Sequence, residues 1–183
     1  MADRVSALGA SLGEGLERAR EGMREREVVD ALWEAEGLGA LLWGFELAPM
    51  PPYDQCFELE RLPRRVTNEA RLRAPEEIEH ARESARLWHW RARTAFLHAG
   101  SSLELPASWS SFEQLIAVAA LRGHELGLLP APIRGDFPAY GTAYRSLPAD
   151  RQLEALSIAY ERHRALNWLC GLGGSWSETP TDT

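Results

Sequence analysis

Not one lysine occurs among the 183 residues, and all 20 basic side chains are arginine. That absence removes every lysine-dependent mechanism: no Schiff base, no phosphate-loop lysine and no amine nucleophile. A GC-rich genome accounts for an arginine-only set without any selection for bidentate contacts. Cysteine is nearly as scarce. Cys56 and Cys170 stand far apart, in no CxxC or Cys/His metal spacing, and read as reduced, partly buried thiols. Long apolar runs are missing too: the stretch from Gly37 to Phe45 falls well short of the roughly 20 residues a membrane helix needs. The first residues lack the basic and apolar regions of a signal peptide. A cytoplasmic address with no membrane partner is the expectation. With a net charge of −7 and no continuous arginine stripe, a sequence-independent grip on phosphate backbones is disfavoured, so nucleic acid is not an expected partner.

Strand signals are lacking as well, with no alternating run and no hairpin turn in view. Repeats, charge runs and low-complexity segments are absent. A composition 45% apolar and 26% charged is that of a globular chain, and this length suits one domain burying roughly 70% of its unfolded surface.

What is present is helical periodicity. Residues 4 to 26 carry Glu14 with Arg18, Glu17 with Arg20 and Glu21 with Arg24, local ion pairs that support a solvated helix docked through Leu8, Leu12 and Leu16. From 26 to 46, Val29, Leu32, Trp33, Leu38, Leu41, Leu42 and Phe45 cover more than half the helical circumference, which predicts a central helix. The three prolines of LAPMPPYDQ end it. A short helix or turn is expected between Cys56 and Arg73. Pro75, Glu76 and Glu77 then open a helix to about His98 with the stripe Ile78, Ala81, Ala85, Trp88, Ala92, Ala95, Phe96. Ser110 with Glu113 forms a capping-box pattern for a helix over 111 to 128. PAPIRGDFPAYGTAYRSLP reads as a long loop packed by its own aromatics. The last helix runs from near Pro148 to Cys170, with Leu153, Leu156, Tyr160, His163, Leu166, Asn167 and Cys170 inward and Gly171 closing it. The expected fold is all-α: an irregular single-domain bundle of about five or six helices, centred on residues 26 to 46, 75 to 98 and 148 to 170.

Three segments carry a family resemblance: LRAPEEIEHARESARLWHWRART (Leu72 to Thr94), GDFPAYGTAYRSL (Gly135 to Leu147), and SIAYERHRALNWLCG (Ser157 to Gly171) with the terminal WSETPTDT (Trp176 to Thr183). VVDALWEAEGLGALLWGF, with Glu36 and Trp43, adds to them. The chain resembles the bacterial family called domain of unknown function 4272, over roughly residues 28 to 183. Residues 1 to 27 read as a divergent N-terminal helix. Ser177-Glu178 stands where similar proteins often carry two acidic residues. The resemblance implies a helical fold and a site location, and no activity.

The candidate site residues are Glu36, Trp43, Trp88, His89, Arg93, His163, Asn167 and Trp168. His163 lies on an apolar stripe one turn from Asn167, where a buried imidazole needs partners. Either the two pin their helix to a neighbour, or they bind a ligand or act on one. Glu36 sits between Trp33 and Trp43 in an apolar helix, where an ionised carboxylate needs an Arg or His opposite. Glu36, His89, Arg93 and His163 are therefore expected to converge on one polar network. Trp88 falls on the inward stripe, with His89 and Arg93 four apart on its flank; two tryptophans and an arginine would also make a stacked packing unit without any ligand.

Catalytic signatures are missing. GGSWS around Ser175 is no GxSxG elbow and follows a helix. The single ExxH, Glu77 with His80, has no second copy, no HExxH exists, and the glycines at 37, 39 and 44 open no phosphate loop. No metal and no cofactor are expected. Trp176 is a candidate anchor folding the last residues back, the alternative being a loosely docked terminus. The reading is a non-catalytic binding or protein-interaction domain with a protein or small-ligand partner. Its alternative is an enzyme acting on a small anion, with His163 as general base and Arg93 holding the anion.

Overall fold

The computed structural model describes residues 25–58, 70–99, 105 and 109–183. Among them lie four α-helices: α1 (Glu25–Gly44), α2 (Pro75–Ala99), α3 (Phe112–Glu125) and α4 (Ala149–Leu169). The described residues are mainly helical, and the four helices among them stand against five or six expected over the whole chain. The helix expected over residues 4 to 26 falls almost wholly outside the described residues, and the connection from Cys56 to Arg73 largely so.

Local chemistry sets the helix ends. Pro75 opens α2, and the Glu77 carboxylate accepts the Ala74 N–H at 3.3 Å. At α3 the cap is Ser111, not Ser110: Ser111 Oγ accepts from the Gln114 N–H at 3.1 Å, and the Gln114 side chain turns back to Ser110. The box is shifted by one because an amide serves as well as a carboxylate at its third position. Gly171, with φ of 80°, closes α4; the Gly171 and Leu172 N–H groups reach back to the Trp168 and Asn167 carbonyls.

Helix α4 packs against both α1 and α2, so two sides of it are covered. That corrects its expected stripe. Leu153 is 53% exposed and Tyr160 37%, while Ala155, Ile158, Ala159, Arg162, His163, Ala165 and Leu166 are buried. A helix held from two sides buries a broad arc, and alanines within it admit close neighbours. Phe96, expected inward on α2, and Leu32, expected inward on α1, are exposed. The α1 glycines serve the same close packing: a Cβ at Gly39 would overlap the Phe57 ring, and one at Gly37 would meet the Trp176 ring at 3.3 Å.

The loop expected between α3 and α4 contains a small antiparallel hairpin, β1 (Pro138–Ala139) with β2 (Thr142–Ala143), which corrects the expectation of no hairpin. Tyr140 and Gly141 turn it with φ of 51° and 72°, positive at both central positions as in a type I′ turn. The signal is hidden because each strand is two residues long and Tyr replaces the usual Asn or Asp. The aromatics of this loop do pack inward, and Phe137 and Tyr144 are fully buried with Trp88 and Ala92 of α2. No helix among the described residues is long and apolar enough to cross a membrane.

Candidate functional site

Glu36, on α1, does find a buried cation, and it is Arg162 of α4. Arg162 Nε and Nη2 donate to Glu36 Oε2 at 3.1 and 2.8 Å. Its remaining donors reach the carbonyls of Pro51, Pro52 and Gln55 at 2.7, 3.0 and 2.7 Å, so all five guanidinium N–H groups are used. Glu36 Oε1 accepts the Phe57 N–H at 2.7 Å. The proline-rich segment has few backbone donors of its own and projects carbonyls inward; the arginine satisfies them and ties the segment to both helices. Arg162 also lies over the Tyr53 ring, which stacks on Trp88 at 5.4 Å; Trp88 meets Phe137 edge-on at the same spacing.

A second cluster joins α2 to α4. His89 Nδ1 and His163 Nδ1 are 3.1 Å apart, and His163 Nε2 lies 3.1 Å from Asn167 Nδ2. Asn167 Nδ2 also donates to the Pro180 carbonyl at 2.7 Å. A carbonyl can only accept, so the nitrogen of the amide faces it. Each proton position then follows in turn: His163 Nε2 accepts from Asn167, His163 Nδ1 carries the proton, and His89 Nδ1 accepts it. Burial pushes both imidazoles down from 6.5 to about 4, helped by the charge of Arg93 at His89 and by His89, Arg82 and Arg86 at His163. Both rings are neutral at pH 7, and each nitrogen of His163 is engaged.

The third cluster fastens the hairpin loop. Arg91 Nε and Nη2 grip Asp136 Oδ1 and Oδ2 at 2.7 and 2.8 Å, and the carboxylate also accepts from the Phe137 and Arg145 N–H groups. Burial opposes the charged form of Asp136, yet Arg91 and these two N–H groups hold its carboxyl below its ordinary value. Arg91 lies over the Tyr144 ring at 4.5 Å.

The four residues expected to converge therefore divide. His89 and His163 touch; Glu36 goes to Arg162 instead; Arg93 is exposed and acts on His89 through its charge. Trp43 is engaged elsewhere, beneath the Arg73 guanidinium, whose Nε donates to the Trp43 carbonyl at 2.8 Å. Trp168 meets Trp176 edge-on at 6.2 Å, so the expected anchor does fold the last residues back. Arg162, Arg91 and Asp136 were not foreseen. Arg162 had a signal, since it sits midway along the run Ala155, Ile158, Ala159, Ala165, Leu166 and so had to be buried; Asp136 had none beyond its place in a glycine- and proline-rich loop.

Cys56 is exposed rather than partly buried, and Cys170 is half-buried; the two are unpaired, and desolvation first, then nearby carboxylates, pushes both thiols up to about 11. His80 and Glu77 are exposed, and among the described residues no three His, Cys, Asp or Glu side chains are grouped to hold a metal. A cavity of about 170 Å³ is lined by the proline-rich segment from Pro49 to Glu58. An open groove of about 560 Å³ runs along Glu76, Glu79, His80 and Glu83 toward Leu126 and Leu128. Neither is lined by His89, Arg93 or His163.

Comparison with protein-family models, with curated proteins and with solved structures finds no match.

Proposed function

We propose that this chain is a non-catalytic binding domain, a cytoplasmic helical bundle related to the bacterial domain of unknown function 4272, that takes a protein partner and neither nucleic acid nor membrane. One observation carries the reading: the buried ionisable side chains of the site are committed to neighbours in the chain. Arg162 spends every donor on Glu36 and three carbonyls, Asp136 accepts from Arg91 and two backbone amides, and His163 has a partner at each nitrogen. An imidazole near pKa 4 is a weak base at pH 7, and one already bonded at both nitrogens has no lone pair to offer a substrate. Large apolar side chains, Phe96, Leu121 and Leu126 among them, meanwhile stand at the surface.

The second reading, an enzyme acting on a small anion with His163 as general base and Arg93 as anion holder, draws on Arg93, an exposed cation close enough to His89 to lower its pKa. Native mass spectrometry separates the two. The binding-domain reading expects no stoichiometric small anion on the purified chain, and expects peptide selection against that chain to enrich a shared motif. A retained anion lost in both Arg93→Ala and His163→Gln would overturn it in favour of the enzyme.

A further inference from the structure

Residues 176–180 lie back over α4 in an arrangement that has the parts of a peptide complex. Trp176 is the anchor: it packs edge-on to Trp168, its ring lies 4.6 Å from the Arg164 guanidinium, and it rests against Gly37, where any Cβ would crowd it. Two side chains of α4, three positions apart, read its backbone. Arg164 Nη2 donates to the Trp176 carbonyl at 3.3 Å, and Asn167 Nδ2 donates to the Pro180 carbonyl at 2.7 Å. Thr179, between them, is buried. Gly171 and Gly173, with φ of 80° and 99°, make the turn that brings the segment back.

One detail does not fit a segment evolved only to stay in place. Asn167 is 3% exposed, yet its Oδ1 accepts no hydrogen bond among the described residues. An asparagine that reads a peptide does so with both ends of its amide: nitrogen to a carbonyl, oxygen to an N–H. A residue in extended backbone turns its own N–H and C=O to the same side. Here the residue at that position is proline, which has a carbonyl and no N–H, so the donor half of the amide is satisfied and the acceptor half is left buried and empty. Such an orphan destabilises, because the oxygen has lost its water and gained no donor.

We infer that the α4 face formed by Trp168, Arg164 and Asn167, with Gly37 of α1, is a seat for an extended peptide of a partner protein, one with an aromatic anchor and, four residues on, a residue bearing a backbone N–H. Residues 176–180 occupy that seat in cis and leave its last contact unmade, which makes them displaceable by a peptide that completes it. The inference rests on the binding-domain reading above and gives that reading its partner chemistry.

The test uses the full chain. In Pro180→Ala the amide introduced at position 180 has Asn167 Oδ1 as its acceptor, so its hydrogen exchange is slowed at least about five-fold relative to an unstructured amide; exchange at the unstructured rate overturns the seat. The unsubstituted chain is then titrated with two peptides of the sequence of residues 173–183, one with alanine and one with N-methylalanine in place of the proline, while exchange of the segment's own amides is followed. The tethered segment competes at an effective concentration on the order of millimolar, so the peptides are taken into that range. The alanine peptide is expected to release the segment at about five-fold lower concentration than the N-methyl peptide, and Asn167→Ala to abolish the difference. Equal potency overturns the seat. Concentration-dependent dimerisation of the unsubstituted chain through an exchanged segment overturns the partner peptide in favour of a second copy. If selected peptides still bind the chain while equal potency is found, the seat alone fails; if none binds, the binding-domain reading fails with it.

Discussion

Removing the Glu36 carboxylate strands three buried donors at once: the Arg162 Nε–H, one Arg162 Nη2–H and the Phe57 N–H. Arg162 is fully buried and Glu36 nearly so, which leaves no water to take over. Breaking one partner of a buried ion pair costs about 3–5 kcal/mol, because the remaining charge stays desolvated, and the orphaned Phe57 amide belongs to the upper part of that range. Glu36→Ala is therefore expected to lose about 4 kcal/mol. Set against the 5–15 kcal/mol typical of a domain, that is between about a quarter and four fifths of the total stability. Urea titration at 25 °C, followed by tryptophan fluorescence, reads the loss directly. Glu36→Gln keeps acceptor oxygen and should lose less than Glu36→Ala. Glu36→Leu combined with Arg162→Met removes both charges, and should recover most of the stability, since a well-packed apolar pair replaces a buried ion pair at little cost. A loss below about 1 kcal/mol in Glu36→Ala would refute the assignment of the pair as the tie between α1, α4 and the proline-rich segment.

Three further outcomes follow from the same geometry. Both site histidines are neutral in the fold with pKa values of about 4, against 6.5 for the free side chain, so between those limits the unfolded chain binds more protons and stability falls as pH drops through that window. The loss amounts to about 3 kcal/mol for the first histidine protonated and levels off below about pH 4; the fall should become shallower in His163→Gln but persist there through His89, and a chain equally stable at pH 6.5 and 4.5 would contradict it. Asp136→Asn leaves Arg91 facing a neutral amide and is expected to cost about 3 kcal/mol, with faster hydrogen exchange confined at first to residues 133–147; unchanged exchange there would count against the tie. Gly39→Ala drives a methyl group into the Phe57 ring and should cost about 1–3 kcal/mol by thermal denaturation, whereas a neutral result would mean that the proline-rich segment yields freely.

The sequence made the three central helices legible because each has a long 3.6-residue pattern and chemical punctuation at an end: the three prolines after α1, Pro75 with two glutamates at α2, Gly171 after α4. It was least informative where tertiary context overrode the pattern. Arg162 lies on the most continuous apolar stripe of α4, but a stripe read from apolar residues alone skips an arginine, and Leu153 and Tyr160 were drawn inward in its place. The need for a partner at Glu36 was visible; its identity was not, because the choice among Arg93, His89 and Arg162 depends on which helix faces α1. The His89–His163 contact was within reach, since both residues lie on faces that the bundle brings together. The Tyr140–Gly141 hairpin was out of reach, its strands too short to alternate and its first turn residue a tyrosine whose N–H is held by Asp54 from a distant segment.

The central claim, that the buried ionisable groups hold the frame of a binding domain and perform no acid–base chemistry, is tested most directly by the nitrogen shifts of the two imidazoles in the full chain. Long-range proton–nitrogen NMR across pH 3.5 to 8, with and without millimolar phosphate, reports tautomer and titration together. The account predicts His163 protonated at Nδ1 and His89 at Nε2, no titration of either above about pH 5, and no response to phosphate. His89 or His163 titrating near 6.5, or shifting when the anion is added, would contradict it.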